Sequence, residues 1–112
     1  AKAFTSVRFA PLYDAVTTRV FPGLGGDRMA LKLNGKDDRL TRRDFMALAR
    51  TIGLPQGDAD RAIAELIDRL KNVVEIVRLP DFALEFTPAA TVRNQVLALV
   101  RERCAALAED AD

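Results

Sequence analysis

In the second half of the chain, apolar residues recur every three to four positions, the spacing of one face of an α-helix. Phe45, Leu48, Ala49 and Ile52 keep that spacing within "TRRDFMALARTIGLP" (41–55). Thr41 precedes them as an N-cap candidate, Asp44 follows three residues later in the first turn, and Gly53 and Pro55 supply a stop. A second periodic stretch runs from Asp58 through Ala59, Ala62, Ile63, Leu66, Ile67, Leu70, Val73, Val74 and Val77. Its polar face carries Asp60, Arg61, Glu65, Asp68, Arg69 and Lys71, with Glu65 and Arg69 spaced for an i,i+4 ion pair. Pro80 breaks the pattern, and Thr87 with Pro88 opens a third stretch whose inner stripe is Val92, Val96, Leu99, Val100, Cys104 and Leu107. The spacing predicts helices near 42–52, 58–77 and 88–108. They are expected to pack through Phe45, Leu48, Ile52, Ile63, Leu66, Leu70, Val96, Val100 and Leu107. On that expectation Leu66→Ala costs about 2–5 kcal/mol.

The first forty residues follow another pattern. "RMALKLNGK" (28–36) alternates, with Met29, Leu31 and Leu33 on one side and Arg28, Ala30 and Lys32 on the other. That reads as a short strand closed by the turn pair Asn34-Gly35. "FTSVRF" (4–9) is a second strand candidate, and "FPGLGGD" (21–27) reads as a loop. The expected fold class is mainly α. One domain over 1–112 is expected, divided into a β-containing edge over 1–40 and a three-helix bundle over 41–112. The edge is too irregular to make a core alone and reads as a surface laid against more protein.

Composition narrows the chemistry. Hydrophobic residues make up 49% of the 112, which argues against disorder. No apolar run approaches the roughly 20 residues of a membrane span, so no membrane partner is expected. There is one cysteine, Cys104, and no histidine, so no internal disulfide forms and a structural zinc site is all but excluded. A lone, core-filling cysteine fits a cytoplasmic setting. The net charge of +1 is unevenly spread: residues 1–53 hold ten Lys/Arg against five Asp/Glu, and 54–112 hold seven against eleven. Such an imbalance fits a first half that faces an anion, and equally a solvated surface.

Several stretches raise and mostly lose a chemical reading. "GLGGD" (23–27) lacks the Gly-Lys-Ser/Thr of a phosphate loop and reads as a turn. Arg42, Arg43 and Arg50, with Lys36 and Arg39 just before, form an outward basic patch suited to phosphate contact. No aromatic residues interleave it for base stacking. Arg93, Arg101, Glu102 and Arg103 read as an ordinary exposed face. Asp14 is different: Phe9, Ala10, Pro11, Leu12 and Tyr13 precede it, and Ala15 and Val16 follow. A carboxylate in such company caps the segment after it, or binds a hard cation such as Mg²⁺. Apolar flanks strengthen that cation contact and make an unpaired carboxylate costly.

"RFAPLYDAVTT" (8–18) resembles the Leu/Phe-x-Pro-x-Tyr-Asp-x-(Val/Leu)-(Ser/Thr)-(Ser/Thr) segment of HipA-type serine/threonine kinases, the toxin members of bacterial toxin–antitoxin pairs. "DRMALKLNGK" resembles that family's Leu-Ala-Leu-x-(Leu/Ile)-x-Gly-Lys strand, and "LTRRDFMALARTIGLP" its next helix. The likeness covers roughly residues 8–75. It implies that Asp14 holds Mg²⁺ on the ATP phosphates, as the metal-binding Asp of kinases does. "AKAF" at the start resembles the end of the family's Asp-x-His-x-Lys-Asn-Phe loop, with Lys2 at the nucleotide-contacting Lys and Ala3 where the family has a second metal-binding Asn. The resemblance further implies a C-terminal piece of a kinase C-lobe, inactive alone because the catalytic Asp and the N-lobe lie outside these residues. It implies Mg²⁺ and ATP as cofactors, a protein substrate, and an antitoxin partner that links the kinase to operator DNA. The other reading is a non-catalytic helical module that binds a partner protein or DNA.

Overall fold

A computed structural model describes residues 6–13, 15–80 and 87–108. The chain is mainly α, and among the described residues there is no strand. Helix α1 spans Arg42–Thr51, α2 Gln56–Leu70, the single turn α3 Val73–Ile76, and α4 Thr87–Ala108. Helices α1, α2 and α4 pack against one another.

Helix α1 starts and stops where its sequence asks it to. Thr41 sits in extended conformation at the N-cap, and its N–H donates to Asp44 Oδ2 at 2.9 Å, the reciprocal arm of a capping box. Gly53 adopts φ +74°, the left-handed conformation that glycine takes without strain. The N–H of Leu54 then donates to the carbonyl of Ala49 at 2.8 Å, and the N–H of Gly53 to that of Arg50 at 3.3 Å. These two bonds make a Schellman motif and satisfy carbonyls that the helix end would orphan.

The expected helix over 58–77 is two pieces. It begins earlier, at Gln56 after Pro55, and α2 ends at Leu70. The chain re-enters helix after Asn72, whose carbonyl accepts from the N–H groups of Glu75 and Ile76. The β-branched run Val73, Val74, Ile76, Val77 is a poor helix former, and Asn is a good cap, so the apolar period outlasts the helix. On α2 the ion pairs join Asp58 to Arg61 at 3.5 Å and Asp68 to Lys71 at 3.3 Å, in place of the expected Glu65–Arg69 pair.

The alternating stretch 28–36 does not become a strand. It condenses to one antiparallel bridge between Leu33 and Lys36. Asn34 (φ +51°) and Gly35 (φ +76°) are both left-handed, which is the type I′ turn that Asn-Gly favours. Residues 6–9 are irregular and exposed. The turn was foreseen and the strand was not realised, because among the described residues no second strand lies beside it to take its hydrogen bonds.

The core also differs from the periodic stripe. The buried apolar residues among those described are Ala49, Ala59 and Leu97. Phe45, Ile63, Leu70, Val96, Val100 and Leu107 are half-buried, while Leu48, Ile52 and Leu66 are exposed, Leu66 by 51%. The seam therefore buries the small Ala49 of α1 and Ala59 of α2 while larger side chains of the stripe stay open. Leu97→Ala is therefore expected to lower stability by about 2–4 kcal/mol in a denaturant titration. Leu66→Ala is expected to cost about 1 kcal/mol or less, because half its surface already meets water.

Candidate functional site

Asp14 and Lys2, the residues that the family resemblance puts forward, lie outside the described residues. The described chemistry gathers further along, where the turn region meets α1 and α4.

Asp44 is the most deeply buried side chain among those described, 1% exposed. Its Oδ1 accepts from Asn34 Nδ2 at 2.8 Å. Its Oδ2 accepts from Lys36 Nζ at 2.9 Å, from the Thr41 N–H at 2.9 Å and from the Thr41 hydroxyl at 3.1 Å. Burial alone would raise this carboxyl. The bonds from the Thr41 N–H, Asn34, Lys36 and the Thr41 hydroxyl outweigh that and hold it well below the usual carboxylate range. Sequence reading placed Asp44 in a capping position but missed its grip on the Asn34–Lys36 turn, since nothing in spacing fixes how the turn folds back.

A second polar cluster joins the segment before the glycine-rich loop to α4. Arg19 Nη1 donates to Asp38 Oδ1 at 2.6 Å, and Arg103 Nη2 donates to the same oxygen at 3.2 Å. The bond from Arg19, then that from the Arg39 N–H, holds the Asp38 carboxyl well below its ordinary range, against a smaller effect of burial. Arg103 is thus a half-buried partner of Asp38 instead of part of a solvated face. The glycine-rich segment does form successive turns, with Leu24 N–H donating to Phe21 O and Asp27 N–H to Leu24 O. They return Asp27 to the Thr18 hydroxyl.

Two members of the basic patch read from the sequence, Arg42 and Lys36, are spent internally. Arg42 is buried: its Nε and Nη2 donate to Asp60 Oδ1 at 3.1 and 2.6 Å, and its Nη1 donates to the Leu107 carbonyl at 3.0 Å. It ties α1 to α2 and to the last turn of α4. Lys36 is held by Asp44. Helical periodicity put Arg42 outside because it does not register that Asp60 and a helix-end carbonyl wait on that side.

Between these fastenings lies a cavity of about 510 Å³. Val16, Met29, Leu40, Phe45, Leu99 and Leu107 give it an apolar wall, and Arg19, Arg28, Arg39 and Arg103 with Asp27, Asp37 and Asp38 give it a charged rim. Among the described residues, no group of three Asp, Glu or Cys side chains could hold a metal ion. No helix among them is long and apolar enough to cross a membrane. Cys104 is a free thiol, half-buried. Compared with known proteins, the chain matches no family model, no curated protein and no solved structure.

The two carboxyls set an acid limit. Their folded values lie below the ordinary unfolded value near 3.9, so their contribution is complete above about pH 5 and is lost as pH falls through the acid range. Thermal midpoints are expected to be flat from about pH 5 to 8 and to fall below about pH 4. Asp44→Asn puts an amide donor among donors. It is expected to cost about 1–3 kcal/mol at pH 7 and to make the acid decline shallower, read from midpoints across that range.

Proposed function

We propose that this chain is the C-terminal part of a HipA-like protein serine/threonine kinase, the toxin of a toxin–antitoxin pair, and that Asp14 contributes to binding Mg²⁺–ATP. The observation that carries this reading is the apolar segment around Asp14. Val7, Phe9, Leu12, Tyr13 and Val16 are 80–101% exposed. Contiguous apolar side chains in the open call for a surface to cover them. A kinase C-lobe continuing beyond these residues supplies such a surface, and the three family-like stretches occur in the family's order. The helix at Arg42–Thr51 supports the third of them, whereas the second forms a turn and not a strand.

In this reading Asp14, with further ligands from a catalytic loop upstream, would hold the metal, and Lys2 would contact the nucleotide. The metal would supply charge stabilisation for the transferring phosphoryl group. The substrate is a protein hydroxyl, the partner an antitoxin that binds operator DNA, and the setting the cytoplasm. The basic patch adds little to direct DNA binding, with Lys36 and Arg42 already paired within the chain.

The test compares Asp14 with Asn in a protein that carries the kinase N-lobe and catalytic loop ahead of this chain. Asn caps about as well as Asp but lacks the charge a hard cation needs. Phosphotransfer is expected to fall at least ~100-fold, about 2.7 kcal/mol in barrier, with the thermal midpoint nearly unchanged. A near-normal rate would return Asp14 to a capping role. The 112-residue chain alone is expected to show no autophosphorylation with Mg²⁺–ATP; activity there would overturn the reading.

A further inference from the structure

The charged rim of the cavity leaves one cation over. Asp38 is taken by Arg19 and Arg103, Asp37 by Arg28 at 3.0 Å, and Asp27 by the Thr18 hydroxyl. Among the described residues the Arg39 guanidinium has no hydrogen-bond or ion-pair partner, though it lines the cavity. Arg39 also stands at φ +50°, a left-handed conformation that a long side chain takes at a cost. Its side chain is exposed at the rim. A strained residue that presents an unpaired charge to a cavity is a functional signal.

The cavity's size and wall define what that charge would meet. About 510 Å³ lies within the range of small-molecule sites, roughly 300–1,000 Å³. The wall of Val16, Met29, Leu40, Phe45, Leu99 and Leu107 suits an apolar body. One unpaired guanidinium balances a single negative charge, and its planar fork matches a carboxylate. A phosphate dianion would bring a second charge with no cation left to meet it. We propose that this cavity binds a small amphipathic carboxylate, its apolar body against the Phe45–Leu99–Leu107 wall and its anionic end on Arg39. This site is independent of the kinase reading, which assigns no role to Arg39 or to the cavity wall.

The test uses 2-naphthoate as probe and the purified chain. Its fluorescence is expected to titrate to saturation, and amide shifts in a labelled sample are expected to move at residues around Leu40, Phe45 and Leu99. Arg39→Asn keeps a residue that tolerates the left-handed conformation and removes the charge. It is expected to weaken binding at least ~10-fold with no loss of thermal midpoint, while Arg39→Lys, which keeps the charge without the fork, is expected to bind more weakly than the native chain and more tightly than Arg39→Asn. The neutral analogue 2-naphthalenemethanol is expected to bind at least ~10-fold more weakly than the carboxylate. Non-saturable binding, shifts confined to the exposed segment Val7–Tyr13, or an unchanged affinity in Arg39→Asn would each overturn the site. Tighter binding of 2-naphthyl phosphate than of the carboxylate would overturn the assignment of ligand class.

Discussion

The Asp44 carboxylate is the constraint on which the rest of the structure depends. One buried anion accepts four hydrogen bonds, from a helix N-terminus and from both ends of the Asn34–Lys36 turn. It therefore sets where α1 begins and where the preceding loop must lie. Such a carboxylate is tolerated in a buried place because both its oxygens accept hydrogen bonds and because Lys36 and the helix N-terminus both complement its charge. Without it the turn has no anchor on the helices, since the Leu33–Lys36 bridge is too short to stand alone.

The Arg42 guanidinium does for the helices what Asp44 does for the turn. It reaches Asp60 on α2 and the Leu107 carbonyl on α4, so three elements converge on one planar group. With Ala49, Ala59 and Leu97 as the fully buried apolar residues among those described, apolar burial alone gives few directional constraints. The helix arrangement is specified to an unusual degree by polar fasteners. Asp38 extends the same logic, drawing Arg19 and Arg103 together across 84 residues of chain. The cavity is the space enclosed between the Asp38 cluster and the helices that Arg42 holds.

What was legible in the sequence follows from this division. Local signals were reliable: Thr41 with Asp44 at the start of α1, Gly53 at its end, Asn34-Gly35 as a turn, and the inner stripe of α4, all of which is at least half-buried. Each is decided within a few residues by backbone sterics or helix period. Long-range polar pairing was not legible. Arg42 and Arg103 read as surface charges because periodicity ranks a side chain by its own polarity and cannot see Asp60, Leu107 or Asp38 across the fold. The expected weight on Leu48, Ile52 and Leu66 failed for a related reason: two alanines, which a hydrophobic pattern undervalues, are buried while those larger side chains are exposed. Of the candidate cavity, the apolar wall was partly visible through Phe45, Leu99 and Leu107. The spare charge of Arg39 was not, since it emerges only after every neighbouring arginine has found its partner.

The exposed segment ahead of the turn region sets a quantitative condition on whatever covers it. Burying Phe9, Leu12, Tyr13 and Val16 would gain on the order of 6–12 kcal/mol at about 1.5–3 kcal/mol per large side chain. Ordering roughly ten residues of backbone costs on the order of 10–20 kcal/mol. Apolar contact alone therefore does not fix the segment on a flat greasy surface. The covering surface must also take its backbone hydrogen bonds and be rigid beforehand, so that only one side of the contact loses freedom. A pre-folded surface with open backbone donors and acceptors meets both conditions, and a flexible partner segment meets neither.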